Sequence, residues 1–371
     1  MYFKDIIGQE ETKQRLIREV ADGRVPHARL LCGPEGCGQL PLAVAYARYL
    51  CCSNRQDGDA CGKCPSCVKF DKLVHPDVHF VFPVKSSTNV SDDFIREWRQ
   101  LLLQSPYFGF PQWMEAMGVE NQQPLIGVRE SDEITRKLTL KSSAGGYKVM
   151  IIWLPEKMNI QSANKLLKLL EEPPQQTVFL MVSEQPDALL ATIQSRTQRL
   201  ELKRLPEALI AQTLQGKYGL QAADAANIAH MADGSMLKAI ETIHISEDSR
   251  LFFDLFVSLM RLSYQRRLKE MKLWSEQVAA MGRERQKNLL VYCQKSLREN
   301  FIYNFHRPEL VYMTPEEQNF STKFAPFVNE RNVIGIMEEL TLAQQHIEQN
   351  VNPKMVFFDF ALKMIMLLKS N

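Results

Sequence analysis

No stretch of this 371-residue chain stays apolar long enough to cross a bilayer. The longest apolar run, residues 355–368, is interrupted by Asp359 and Lys363 and falls short of the roughly 20 residues that a spanning helix needs, so it reads as a buried helix. The first nine residues, Met1-Tyr2-Phe3-Lys4-Asp5-Ile6-Ile7-Gly8-Gln9, lack the apolar run and small-residue cleavage site of an export signal. The expectation is a soluble, cytoplasmic protein without a membrane partner. A strong net charge is also lacking. Lys and Arg number 45 against 43 Asp and Glu, leaving +2, so any nucleic-acid contact must come from a local basic surface. Internal repeats and low-complexity segments are absent. What remains is ordinary globular composition, 45% hydrophobic and 24% charged, in a chain longer than the roughly 250 to 300 residues at which single cores stop growing. Two or three domains are expected.

The first 200 or so residues alternate short β-rich runs with helical patterns. Ala28-Arg29-Leu30-Leu31-Cys32, Val149-Met150-Ile151-Ile152 and Thr177-Val178-Phe179-Leu180-Met181-Val182 are the strand runs, and near-continuous apolar character predicts a parallel sheet covered on both faces. Between them, residues 40–50 and 160–170 carry apolar positions at helical spacing. The second helix must stop at Pro173-Pro174. After Leu205-Pro206 the strand runs disappear. Residues 206–245 read as three or four short helices broken by Gly219 and Gly234, and 246–371 as a second helical domain with aromatic faces such as Leu251-Phe252-Phe253-Asp254-Leu255-Phe256. Such faces suit either an internal core or a partner protein.

The run Gly33-Pro34-Glu35-Gly36-Cys37-Gly38-Gln39-Leu40 has the frame of a phosphate-binding loop, placed between a strand and a helix. In a working loop, backbone amides and the helix N-terminus hold phosphates, a lysine neutralises charge and a hydroxyl holds magnesium. Gly33, Gly36 and Gly38 keep the frame, but uncharged Gln39 takes the lysine position and Leu40 the hydroxyl position. After the strand 149–152, where an active ATPase places an acidic pair, the chain has Trp153-Leu154-Pro155-Glu156. Both losses remove the same step. ATP is not expected to be hydrolysed, nor bound with appreciable affinity.

Four of the eight cysteines form Cys52, eight residues, then Cys61-Gly62-Lys63-Cys64-Pro65-Ser66-Cys67. This spacing suits one tetrahedral zinc ion with a structural role, since four sulfurs leave no open position. Cys51 is an alternative to Cys52 as the fourth ligand. Cys32, Cys37 and Cys293 read as ordinary small residues.

These features together resemble the delta-prime family of bacterial DNA polymerase III clamp-loader subunits, over nearly the whole chain. The resemblance rests on Ile7-Gly8-Gln9, Pro26-His27-Ala28, the degenerate loop, the cysteine cluster, His75-Pro76-Asp77 and the stretch 164–174. Ser195-Arg196-Thr197 completes the set, with threonine where that family has cysteine. The resemblance implies an AAA+ P-loop domain over 1–205 with a zinc module at about 52–67, a helical lid over 206–245 and an all-α collar over 246–371. It implies assembly with gamma/tau and delta subunits into a five-membered ring that opens a sliding clamp and places it on primed DNA. The chain would be no enzyme by itself but a component of a DNA-directed DNA polymerase. Arg196, with Ser195 beside it, would serve as an arginine finger toward a neighbour's ATP, stabilising charge on the transferring phosphate. Its alternative is a surface salt bridge.

Weaker expectations concern DNA and residues 86–124. Arg129, Arg136, Lys137 and Lys141 are candidate phosphate contacts on the segment 126–148, which would carry no sequence preference; the alternative is a solvated helix face. The segment 86–124 is longer than the family's usual connection and holds Phe94, Trp98, Tyr107, Phe108, Phe110 and Trp113. So many aromatics imply a packed subdomain, expected to lie on the zinc module. Two rival readings stay open: an active AAA+ motor subunit of the gamma/tau type, and a zinc-dependent nucleic-acid-binding protein unrelated to clamps.

Overall fold

The computed structural model describes residues 1–86, 88–119, 123–143, 145–305 and 313–368. They fall into two compact units, Met1–Thr242 and Ile243–Asn371. In the first unit, strands β1 (Ala28–Cys32), β2 (Val78–Val81), β3 (Lys148–Trp153), β4 (Thr177–Ser183) and β5 (Gln198–Glu201) form one sheet in the order β2-β3-β4-β1-β5. Every neighbouring pair is parallel. The helices of this unit are α1 (Glu10–Ala21), α2 (Gln39–Cys51), α3 (Pro65–Asp71), α4 (Ile95–Gln104), α5 (Phe110–Ala116), α6 (Val128–Thr139), α7 (Ile160–Glu171), α8 (Ala191–Gln194), α9 (Glu207–Tyr218) and α10 (Ala222–Met231).

The central strands β1, β3 and β4 are buried along their whole length, as expected of a parallel sheet covered on both faces. Alternate residues sort by face. Leu31, Ile151 and Leu180 join the core beneath α2, whereas Leu30, Ile152 and Met181 join the core beneath α6 and α7. The strands β2 and β5 carry no comparable apolar run. They are four-residue edges, and β5 buries only Leu200, so periodicity in the sequence does not reveal them. Local chemistry sets the helix ends. Asn159 caps α7 by accepting from the Ser162 amide at 2.8 Å, and Pro173-Pro174 follow its last turn, where no further helical amide can be donated.

The segment 86–124 is indeed packed, but not on the cysteine module. Residues 87 and 120–122 lie outside the described residues. Trp98 and Trp113 are fully buried in the sheet core with Phe82, Phe108 and Trp153. Trp98 stacks on Phe82 at 4.3 Å between ring centroids and meets Trp113 and Trp153 edge-on or tilted, each at 5.2 Å. Polar anchors fix the segment: the Trp113 indole donates to the Pro83 carbonyl at 2.8 Å, and the Ser91 amide to the buried Glu130 carboxylate at 2.6 Å. The expectation fails because hydrophobic area seeks the largest available core, and the small cysteine cluster, packed with Ala60 and Tyr2, offers too little.

Beyond β5, α9 ends at Gly219, whose φ of 66° closes the helix in the left-handed region. The next break, at Gly234, precedes α11 (Met236–Gln265), a 30-residue helix. The boundary expected at 245/246 therefore falls inside a helix. The second unit continues with α12 (Leu268–Ala279), α13 (Arg283–Tyr303), α14 (Pro315–Phe324), α15 (Val333–Glu348) and α16 (Pro353–Leu367). Phe252, Phe256, Phe357 and Phe360 fill its interior, so these aromatic faces serve as core. Among the described residues, no helix is long and apolar enough to cross a membrane.

The aromatic cluster should carry much of the first unit's stability. Trp98→Ala is expected to destabilise that unit by about 3–5 kcal/mol, read from the shift of its denaturant midpoint.

Candidate functional site

The turn from β1 into α2 holds the candidate phosphate loop. Gly36 and Gly38 have φ of 78° and 99°, a region that side-chain-bearing residues rarely adopt. A Cβ on Gly36 would overlap Ser235 Oγ. At the lysine position, Gln39 turns back into the loop: its Nε2 donates to the carbonyls of Gly33 at 2.8 Å and Pro34 at 2.7 Å. Gln39 and Leu40 are both buried. The side-chain amide satisfies these two carbonyls, and it brings no positive charge toward a phosphate. Pro41 is tolerated because it sits in the first turn of α2, whose amides lack intrahelical partners.

At the end of β3, Trp153 fills the place expected for a magnesium-anchoring acid, and it is buried as a wall of the aromatic cluster. Glu156 lies further on and accepts from the amides of Glu184 and Gln185 at 3.1 and 3.3 Å. Burial, reinforced by the charges of Glu35 and Glu156, pushes the Glu184 carboxyl up to about 8, against the pull of Lys157. Three carboxylates thus share a field beside a loop whose ordinary guest is an anion. Sequence reading missed this grouping because the three residues come from the loop, from beyond β3 and from the end of β4.

The cysteine expectation is met in geometry. The ligand atoms of Cys52, Cys61, Cys64 and Cys67 all lie within 4.8 Å of one another, and Cys52 and Cys64 sulfurs are 4.0 Å apart. A tetrahedral ion with bonds of about 2.3 Å to sulfur needs its sulfurs about 3.8 Å apart, so the donor set fits a metal. Amides of Cys61, Cys64 and Cys67 point at sulfurs of Cys52, Cys61 and Cys64 at 3.3–3.5 Å. Burial raises the Cys64 thiol, but hydrogen bonds from the Cys67 amide and from Ser53 outweigh it and hold the group down at about 6. Cys51 stands apart. Its Sγ points to the Tyr147 carbonyl at 3.6 Å, and burial pushes its thiol up to about 12. Arg48 ties the module to α2, donating to the Cys67 carbonyl at 2.9 Å and to Asp71 at 2.6 Å.

Arg196 follows α8, half-exposed, and pairs with Glu171 at the end of α7 at 2.6 Å. Its Nη1 donates to the Thr192 carbonyl at 3.0 Å, and Ser195 Oγ to the same carbonyl at 3.1 Å. The candidate DNA contacts separate. Arg136 is exposed but held by Glu133 at 2.6 Å, one helical turn away. Arg129 donates to the Thr88 carbonyl at 2.8 Å, and Lys141 is exposed beyond the end of α6. Lys137 must be corrected: it is buried and bound to Asp92 at 2.7 Å, because α6 turns this residue toward the inserted segment and not toward solvent.

A family model described as DNA polymerase III, delta subunit, matches residues 8–206, more than half of the chain. This chain belongs to that family. Relatives that carry the name DNA polymerase III subunit delta' include those of Yersinia pestis, 31% identical over 185 residues (49% of this chain, 43% of that protein), and of Escherichia coli K12, 29% identical over 194 residues (52% and 47%). The DNA polymerase III subunit tau of Bacillus subtilis 168 is 26% identical over 250 residues (65% and 37%). The chain thus matches less than half the length of these relatives. Within this delta-family chain, the loop, the cysteine cluster and Arg196 all lie inside the matched residues, whereas α9 onward lies outside them.

The carboxylate grouping gives a pH-dependent prediction. Folding raises Glu184 from an ordinary value of 4.5 to about 8, so the folded state holds this proton to higher pH. The group's contribution is fully favourable below about pH 4.5 and is lost as pH rises through 8. Glu184→Gln is expected to raise the melting temperature by roughly 2–4 °C at pH 8.5 and to leave it unchanged at pH 4.5, measured by thermal denaturation at the two pH values.

Proposed function

We propose that this chain is a non-hydrolysing, delta-prime-like subunit of a DNA polymerase III clamp loader, working beside gamma/tau-type and delta-type subunits to place a sliding clamp on primed DNA. The observation that carries the reading is Gln39 bound to the loop carbonyls of Gly33 and Pro34. Without lysine, hydroxyl or acidic pair, this loop has no group to neutralise or orient a triphosphate with its magnesium. The tau relative favours a second reading, an active motor subunit, and the residues at positions 39, 40 and 153 oppose it.

In the proposed ring, Arg196 is the residue given to a neighbour's ATP. Its pairing with Glu171 does not oppose this role, since exposed ion pairs are worth only about 0.2–1 kcal/mol. A γ-phosphate with its larger charge can take the guanidinium from a carboxylate at little cost, and Glu171 then keeps the side chain ordered until a neighbour arrives. Cys52, Cys61, Cys64 and Cys67 would hold a structural zinc, closing the loop 52–67 onto α2. Of the basic residues, Arg129, Arg136 and Lys141 remain proposed backbone contacts to DNA.

Two measurements test this reading. In a ring rebuilt with the motor and clamp-opening subunits, Arg196→Ala is expected to slow hydrolysis at the neighbouring site by roughly 10³, and normal clamp- and DNA-stimulated turnover would sink the role. Elemental analysis is expected to find near one zinc per chain in the wild type and in Cys51→Ser, and none in Cys64→Ser; a zinc-free wild type overturns the metal assignment.

A further inference from the structure

The loop is not merely short of catalytic groups: its second half, Cys37, Gly38, Gln39 and Leu40, is buried, and part of the cover comes from the inserted aromatic segment. Tyr107 lies against Gly38: a Cβ there would sit 3.5 Å from its ring and hydroxyl. The Tyr107 hydroxyl accepts from the Ile7 amide at 3.1 Å, which fixes the ring beside the first turn of α2. Two residues on, Gly109 passes so close to the loop that a Cβ would come within 2.6 Å of Glu35 Oε1 and 3.0 Å of Leu237. The Gly109 amide donates to Gln112 Oε1 at 3.0 Å, and Gln112 Nε2 donates onward to Glu241 on α11 at 2.6 Å. The start of α11 meets the loop directly, with the Met236 amide donating to the Gly36 carbonyl at 3.0 Å.

We propose that residues 107–112, together with Gln39, take the place of a nucleotide in this module. In a nucleotide-binding module of this kind, the ligand lies between the loop and the helices that follow the sheet, and its contacts hold the two together. Here a segment of the chain itself makes that bridge: Tyr107 on the loop side, Gln112 on the Glu241 side, Gly109 between them. The effective concentration of a tethered segment greatly exceeds that of a free ligand, so the bridge is permanently made. The module keeps one arrangement without ATP and does not cycle with it. Gly109 lets the segment run close beneath Glu35 and Leu237, and the aromatic cluster of Trp98 and Trp113 is the foundation that holds the bridge in position.

This inference builds on the reading of the loop as non-hydrolysing, yet it fails separately from it. A fluorescent ATP analogue with magnesium, titrated into the full chain, is expected to show no binding to the wild type or to Gln39→Lys, since restoring the lysine does not uncover the loop. Micromolar binding to Gln39→Lys would overturn the occlusion while leaving the non-hydrolysing reading of the natural sequence intact. Hydrogen exchange on the same proteins supplies a second measurement. Gln112→Ala is expected to raise exchange at residues 33–40 and 235–242 about tenfold and to leave residues 61–67 unchanged, which also reports that the variant is folded. Unchanged exchange at 33–40 and 235–242 would overturn the bridge. Loss of the Arg196 effect in the rebuilt ring would remove the trans-acting role and leave both of these results untouched.

Discussion

The amide of Gln39 satisfies two carbonyls that a phosphate loop normally turns away from its ligand or leaves to water, and much of the first unit is arranged around that closed turn. With Gly33 and Pro34 tied from inside, the loop becomes a surface against which protein packs. Ser235 and Leu237 press on Gly36, Tyr107 on Gly38, and Leu202 on Gly33. At Gly33 and Gly36 a Cβ would overlap its neighbour, and at Gly38 the φ of 99° asks for glycine. The glycines that elsewhere admit phosphate oxygens therefore admit side chains here, and the frame persists because the packing needs it.

The same exchange of chemistry for packing occurs at the end of β3. An acidic residue there would be a poor neighbour for Trp98 and Phe108, since a buried unpaired carboxylate is costly. Trp153 instead completes an aromatic cluster that seats the inserted segment. The loss of an acid and the gain of an anchor are one substitution viewed from two sides. Glu156, further along, is used to hold the turn after β4 through two amides, and the charges of Glu156 and Glu35 are what help to keep the Glu184 proton in place beside the loop.

Legibility in the sequence followed the range of the interactions. The three central strands, the stop of α7 and the cysteine ligand spacing depend on neighbours within a few turns, so composition and period reveal them. The edge strands β2 and β5 did not announce themselves, because runs of only four residues, the first almost wholly buried and the second almost wholly exposed, carry little periodic signal. Lys137 was misread as a surface charge since helical spacing says which residues share a face but not which face meets solvent. The aromatic richness of 86–124 correctly signalled a packed segment. Its destination was not legible, because hydrophobic burial is non-directional and no local pattern distinguishes one core from another.

Residue identity alone determined what this chain lacks: no lysine at position 39, no hydroxyl at position 40 and no acid at position 153, losses that no folding can repair because side-chain charge is covalent. It also determined the choice of donors at the cysteine cluster, four thiols of suitable number and softness. Only the tertiary structure decided where those losses lead. Gln39 turned inward, Cys52 and not Cys51 came within reach of the other three sulfurs, and Tyr107 and Gly109 came to rest on a loop some 70 residues away in sequence. Contacts of that separation are set by which surfaces are buried together, and that depends on the whole chain at once.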